Sequence, residues 1–196
     1  MFESFVRGFQ EVVQNTKVAM VSIIAVALGI VVEVLYVFTG KYDFLDLDLF
    51  AIKLFEETML ALFLGSLVVK WKKENLFSLL VFSAFYGMTL ALGFSIFVLP
   101  GFIAFMFLLF TPLLSAKYDS VSTVLTESYK MVFNQQRTIE AFLVAGVVFI
   151  VWFIPFIGSI LSNFLRIVLV YTLFSILEGS YEKTESNPSS TQSDAR

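Results

Sequence analysis

Between Glu74 and Lys117 the chain runs for 42 residues, Asn75 to Ala116, without one charged side chain. A water-soluble domain has no use for such a run, because every element in it needs a polar face. A bilayer takes about 20 apolar residues per helical crossing, so the run supplies two crossings. Its middle reads FVLPGFI. Pro100 has no amide to donate and Gly101 tolerates the left-handed conformation, which predicts that the chain turns back there. WFIPFIGS repeats the plan, with Pro155 and Gly158 as the expected turn residues.

The rest of the chain agrees with this run. Of 196 residues 58% are hydrophobic and 15% charged, and the mean hydropathy is +0.87, which places the protein among integral membrane proteins. The pattern predicts an all-α, polytopic helical membrane domain over residues 1–181, with six transmembrane helices at about 18–39, 50–69, 76–98, 102–116, 139–154 and 159–178. A polar tail, 182–196, is expected to be disordered. The start, MFESFVRGFQEVVQNTK, lacks the basic lead into an apolar core that a cleaved signal peptide needs, so no secretory cleavage is expected.

Two stretches have helical periodicity with one polar face. In 2–15, Phe2, Phe5, Val6, Phe9, Val12 and Val13 oppose Glu3, Arg7, Gln10, Glu11 and Gln14. In 119–136, Val121, Val124, Leu125, Val132 and Phe133 oppose Thr123, Glu127, Lys130 and Gln135. Both read as amphipathic helices lying in the membrane interface. GFQEVVQNTK (8–17) and SYKMVFNQQR (128–137) align without gaps, an internal repeat in which an interfacial helix precedes a transmembrane hairpin.

Six spans place Arg7, Lys17, Lys70, Lys72, Lys73, Lys117, Lys130, Arg137, Lys183 and Arg196 on one side. Lys41, Asp43, Asp46 and Asp48 fall on the other. Basic residues collect on the cytoplasmic face, so the expected location is the cell membrane with both termini cytoplasmic. Lys70, Lys72 and Lys73 are the expected contacts with anionic lipid headgroups.

The segment LPGFIAFMFLLFTPLLSAKYDSVSTVLTESYKMVFNQQ (99–136) contains Leu99-Pro100-Gly101, a second proline at Pro112, and then Leu125, Ser128 and Lys130. It resembles a broad family of prokaryotic multi-pass proteins, which includes the membrane domain of some glycerophosphoryl diester phosphodiesterases and several domains of unknown function. FVRGFQEVVQNTKVAM is similar to the way such chains begin. The resemblance implies a helical membrane domain and, for most members, no established activity. The phosphodiesterase domain itself would need metal-binding acids and a catalytic histidine, which this chain does not supply.

With no cysteine and no histidine, thiolate or imidazole metal sites, haem ligation and Cys- or His-based catalysis are excluded. No metal or cofactor is expected, and no enzyme. Asp43, Asp46 and Asp48 read as a solvated loop that caps the second span, in preference to a cation site. A net charge of −3 gives no reason to expect nucleic acid.

The charges inside the spans are the remaining signal. SILSNFLRIVLVYT (159–172) puts Arg166 in an apolar helix, where an unpaired charge costs about 2.5–3.5 kcal/mol on insertion scales. Counting about 1.5 Å per residue places Arg166 roughly 12 Å below the outer surface, Glu33 roughly 10 Å and Glu57 roughly 13 Å. Glu33 and Glu57 are therefore the expected partners of Arg166. Lys53, Glu56 and Asn163, about one turn away, complete an intramembrane polar cluster. Three readings stay open: an ion-pair clasp between helices, a polar cavity serving a solute, a headgroup or protons, and snorkelling to the interface.

The expected function is a non-enzymatic membrane module that organises or handles lipids or a partner membrane protein. The alternative is a small transporter or channel built on the Glu/Arg cluster. Expected partners are membrane lipids, and another membrane protein or a second copy.

Overall fold

The computed structural model describes residues 3–39, 46–68, 73–96, 98–118, 120–133 and 138–185. Among these the chain is helical throughout, apart from turns and short joints. In order it forms α1 (Glu3–Gln14), α2 (Thr16–Thr39), α3 (Leu47–Val68), α4 (Lys73–Ile96), α5 (Val98–Phe107), α6 (Thr111–Leu114), α7 (Val121–Phe133), α8 (Thr138–Trp152) and α9 (Gly158–Leu165). A π-helical turn, Arg166–Val170, then leads into α10 (Tyr171–Glu185). Among the described residues three helices are long and apolar enough to cross a membrane: Thr16–Thr39, Phe77–Ile96 and Gly158–Gly179. A fourth crossing results if α7 and α8, which meet at 102°, are taken as one bent span. α3 matches these in length but carries Asp48, Lys53, Glu56 and Glu57.

Helices pack where the sequence has small residues. In α2 the buried stripe contains Ser22, Ala25, Gly29 and Glu33, and it faces α9 and α3. A Cβ on Gly29 would stand 2.5 Å from Ile160 Cα, so the backbones of α2 and α9 touch at this point. Ser83, Gly87, Ala91 and Ser95 of α4 are all buried, and a Cβ on Gly87 would lie 2.8 Å from Thr58 N of α3. The close approach of these helices needs no left-handed backbone; it needs missing side chains.

The π-helical turn lies at the centre. Each residue from Ile167 to Val170 is fully buried, as expected of a helix that is apolar all round and surrounded by protein. α1 rests on it and on α10, which continues from it, and α2, α3 and α8 flank it. Lys17, at the start of α2, donates from Nζ to Leu67 O at 3.0 Å and so satisfies one of the open carbonyls at the end of α3. Ser128 Oγ donates to Phe107 O at 3.0 Å and does the same for α5.

Several boundaries differ from those read in the sequence. Pro100 and Gly101 do not form the turn; they occupy the first turn of α5, where a missing N–H leaves no bond unmade. α4 ends at Ile96 and α5 begins at Val98, and Gly101 packs back against Gly93 and the Phe94 ring. In the second hairpin the left-handed residue is Phe156, with φ 65°. Gly158 has a different task, because a Cβ there would collide with the Trp152 carbonyl. Residues 108–115 are buried, and the break before Pro112 occurs inside the bundle against α3. Val121 is 48% exposed, and Ser128 and Met131 take its place on the buried face of α7. α10 extends helix to Glu185, four residues into the expected tail. The rest of that tail, Lys70, Lys72 and Asp43 lie outside the described residues.

Replacing Gly29 by Ala is expected to lower thermal stability in detergent, by about 1–3 kcal/mol, because the two backbones must separate. Gly146→Ala, where nothing lies within 4 Å of the new methyl, is expected to be neutral or to stabilise by up to about 1 kcal/mol. Unfolding followed by tryptophan fluorescence checks both; equal effects would contradict the contact.

Candidate functional site

Five ionisable side chains from α2, α3 and the π-helical turn are buried together. Glu33 is 6% exposed, Lys53 3%, Glu56 1%, Glu57 3% and Arg166 4%. Three carboxylates thus stand against two cations in a place where an unmatched charge is expensive. Each is answered separately.

Arg166 meets Glu57. Nη1 lies 2.6 Å from Glu57 Oε2, a contact ion pair without an aligned hydrogen bond, and Nη2 donates to the Tyr86 hydroxyl on α4. The guanidinium carbon stands 4.6 Å from the Phe105 ring centroid, within the range of cation–π attraction. Lys53 meets Glu56 one turn along α3: Nζ donates to Oε2 at 2.8 Å, with Glu57 Oε1 4.0 Å away. The ammonium is 4.0 Å from the Trp152 ring centroid, with Phe94 at 5.5 Å and Tyr36 at 5.8 Å. The Tyr36 hydroxyl donates to Glu56 Oε2 at 3.3 Å.

The third carboxylate goes elsewhere. Ser159 N donates to Glu33 Oε1 at 2.6 Å, so Glu33 faces the first amides of α9, where the helix dipole favours a negative charge. The expectation that Glu33 pairs with Arg166 is therefore corrected. Gly29 touches α9 at Ile160, and Glu33, one turn further along α2, comes level with Ser159, while Arg166 lies about two turns further along the chain from Ser159.

Asn163 is 2% exposed and joins Lys53, Glu56, Glu57 and Arg166 around one cavity, lined also by Phe94, Phe105, Val148, Phe149, Trp152 and Ser162. The cavity measures about 20 Å³. One water needs about 10–15 Å³ on this measure, so an organic solute does not fit. Snorkelling does not describe these side chains, which are enclosed by protein. Nor does the site offer a nucleophile paired with a base, and among the described residues no group of three acidic side chains could hold a metal ion.

Of the other residues singled out, Lys73 begins α4, with its side chain outside the described set, and Pro100, Gly101, Pro155 and Gly158 are structural as set out above. Sequence reasoning missed Tyr36, Tyr86, Trp152 and the Ser159 amide. A signal for the tyrosines existed: Tyr36 is one turn from Glu33 on the buried stripe, and Tyr86 lies in the small-residue seam. A phenol inside a span seeks a partner.

No family model, curated protein or solved structure matches the chain. The resemblance to the phosphodiesterase membrane domains therefore rests on residues 99–136 and the N-terminal stretch alone.

Replacing Lys53 by Met is expected to destabilise the protein by about 3–5 kcal/mol, since Glu56 keeps its burial and loses its cation. Adding Glu56→Gln is expected to restore most of the loss. Thermal unfolding in detergent reads both variants, and a double variant no more stable than the single one would contradict the pairing.

Proposed function

We propose that the chain is a non-enzymatic, multi-pass membrane module that crosses the bilayer six times, has both termini on the cytoplasmic side, and organises lipid at its inner interface through α1. The observation that carries this reading is the outer stripe of α1. Val6, Phe9 and Val13 are 59%, 51% and 86% exposed, although the helix is otherwise polar on that side and is fixed to the bundle through Gly8. In water such a stripe is unfavourable; against acyl chains it is the expected contact. Met20, Ile23, Ile24, Ile30 and Val31 follow on α2 with the same outward exposure.

The six-span arrangement is supported by the charges of α3 facing protein and being answered there, which removes their objection to a crossing. α5 with α6 covers 98–114, about 25 Å at 1.5 Å per residue, and α8 covers about 22 Å, short but within reach of a locally thinned bilayer. Lys17, beside the end of α3, and Lys117, paired with Glu178, fit the side assigned to basic residues. The prokaryotic resemblance belongs to the same reading. A transporter or channel is the second reading, favoured by the cavity among Lys53, Glu56, Glu57, Asn163 and Arg166. Its size limits any traffic at that level to water or protons.

The cysteine-free chain allows one direct test with nitroxide labels. A label on Phe9→Cys is expected to relax with oxygen dissolved in lipid, and one on Gln10→Cys with a water-soluble nickel chelate on the cytoplasmic side. Replacing Val6, Phe9 and Val13 together by Ser is expected to reduce co-purifying lipid without unfolding the bundle. Relaxation of position 9 by the chelate, or unchanged lipid in the triple variant, would contradict the assignment.

A further inference from the structure

We propose that the cavity between α3, α9 and the π-helical turn is a binding site for a single water molecule, which joins the two ion pairs into one network. The argument begins after the charges have been matched. Lys53 is held by Glu56, and Arg166 by Glu57 and Tyr86. Glu56 Oε1, Asn163 Nδ2 and Arg166 Nε, fully buried atoms of residues lining the cavity, still have no hydrogen-bond partner, and Glu57 Oε2 has only its unaligned contact with Arg166. Glu56, Asn163 and Arg166 are 1%, 2% and 4% exposed, so bulk solvent does not reach them. Leaving each buried polar group unmet costs about 1–3 kcal/mol, and more when it is charged.

The inventory of these atoms selects the ligand. Glu56 Oε1 and Glu57 Oε2 are acceptors, and Asn163 Nδ2 and Arg166 Nε are donors. A monovalent cation would find both carboxylates already paired with Lys53 and Arg166, and two N–H donors among the same lining residues. An anion would find the Glu56 carboxylate against it. Water can donate to Glu56 Oε1 and accept from Asn163 Nδ2 and Arg166 Nε. Its second hydrogen has Ser162 Oγ in the cavity wall, which donates its own proton to Val148 O at 2.9 Å and keeps lone pairs to accept with. Two to four polar partners and about 10–15 Å³ are what a buried water requires, and the cavity measures about 20 Å³.

The water would sit at the point where α9 passes into the π-helical turn. Such turns widen the helix by one residue and often accompany functional sites. Here the widening starts at Arg166. Through the water, Tyr36 and Lys53 on one side of Glu56 are connected to Arg166, Glu57 and Tyr86 on the other. The inference goes beyond the lipid-interface reading and is independent of it.

The test is an experimental structure of the full chain at a resolution that shows ordered water, with parallel crystals soaked in rubidium or bromide salts. The expected result is one peak within hydrogen-bond distance of Glu56, Asn163 and Arg166, with no anomalous signal in either soak. In Asn163→Leu the peak is expected to vanish while both ion pairs stay. A dry cavity, an anomalous peak from either ion, or a peak that persists unchanged in Asn163→Leu would overturn the proposal. Should the variant fail to fold, the unmodified protein and the two soaks decide the matter.

Discussion

The contact between Arg166 and Glu57 is the interaction on which the interior depends. It joins the central π-helical turn to α3 at the level where neither side chain can reach water. Once Arg166 is inside, a carboxylate must meet it, and once Glu57 is used, Lys53 and Glu56 form the second pair along the same helix. The remaining acid, Glu33, is answered by the first amides of α9. Charge is thus balanced locally at three places rather than across the cluster as a whole. The attraction of each pair is offset by desolvation, so the pairs fix which helices meet more than they add to stability.

Packing and electrostatics support one another. Gly29 lets α2 touch α9, and that contact determines where Glu33 lies; Gly87 lets α4 touch α3, which brings Tyr86 within reach of Arg166. Aromatic rings around Lys53 and Arg166 exclude water while offering their electron-rich faces to the cations. What is left between them is a space of the size of a water molecule.

Much of this was legible in the sequence, and the limits of the reading have physical causes. The depth of a residue follows from counting at 1.5 Å per residue, so the meeting of Arg166 and Glu57 could be anticipated. Depth carries no azimuth, and the partner of Glu33 depends on which helix Gly29 touches. The small-residue stripes of α2, α3 and α4 were readable because close packing in membranes needs them. The turn at Pro100 was misplaced because proline suits the first turn of a helix as well as a loop. Span counting from apolar length treats α3 as doubtful, since its charges count against it until their partners are seen. No rule of periodicity reports the π-helical turn, and the cavity beside it is a property of packing in three dimensions.

The central claim is that Arg166 and Glu57 are a matched pair inside the bundle. A double-mutant cycle with Arg166→Leu, Glu57→Leu and the combination, read by thermal unfolding in detergent, tests it most directly. Each single variant is expected to lose about 3–5 kcal/mol, with much of the loss recovered when both charges are removed. Additive losses in the double variant would show that the two side chains do not answer one another and would contradict the account.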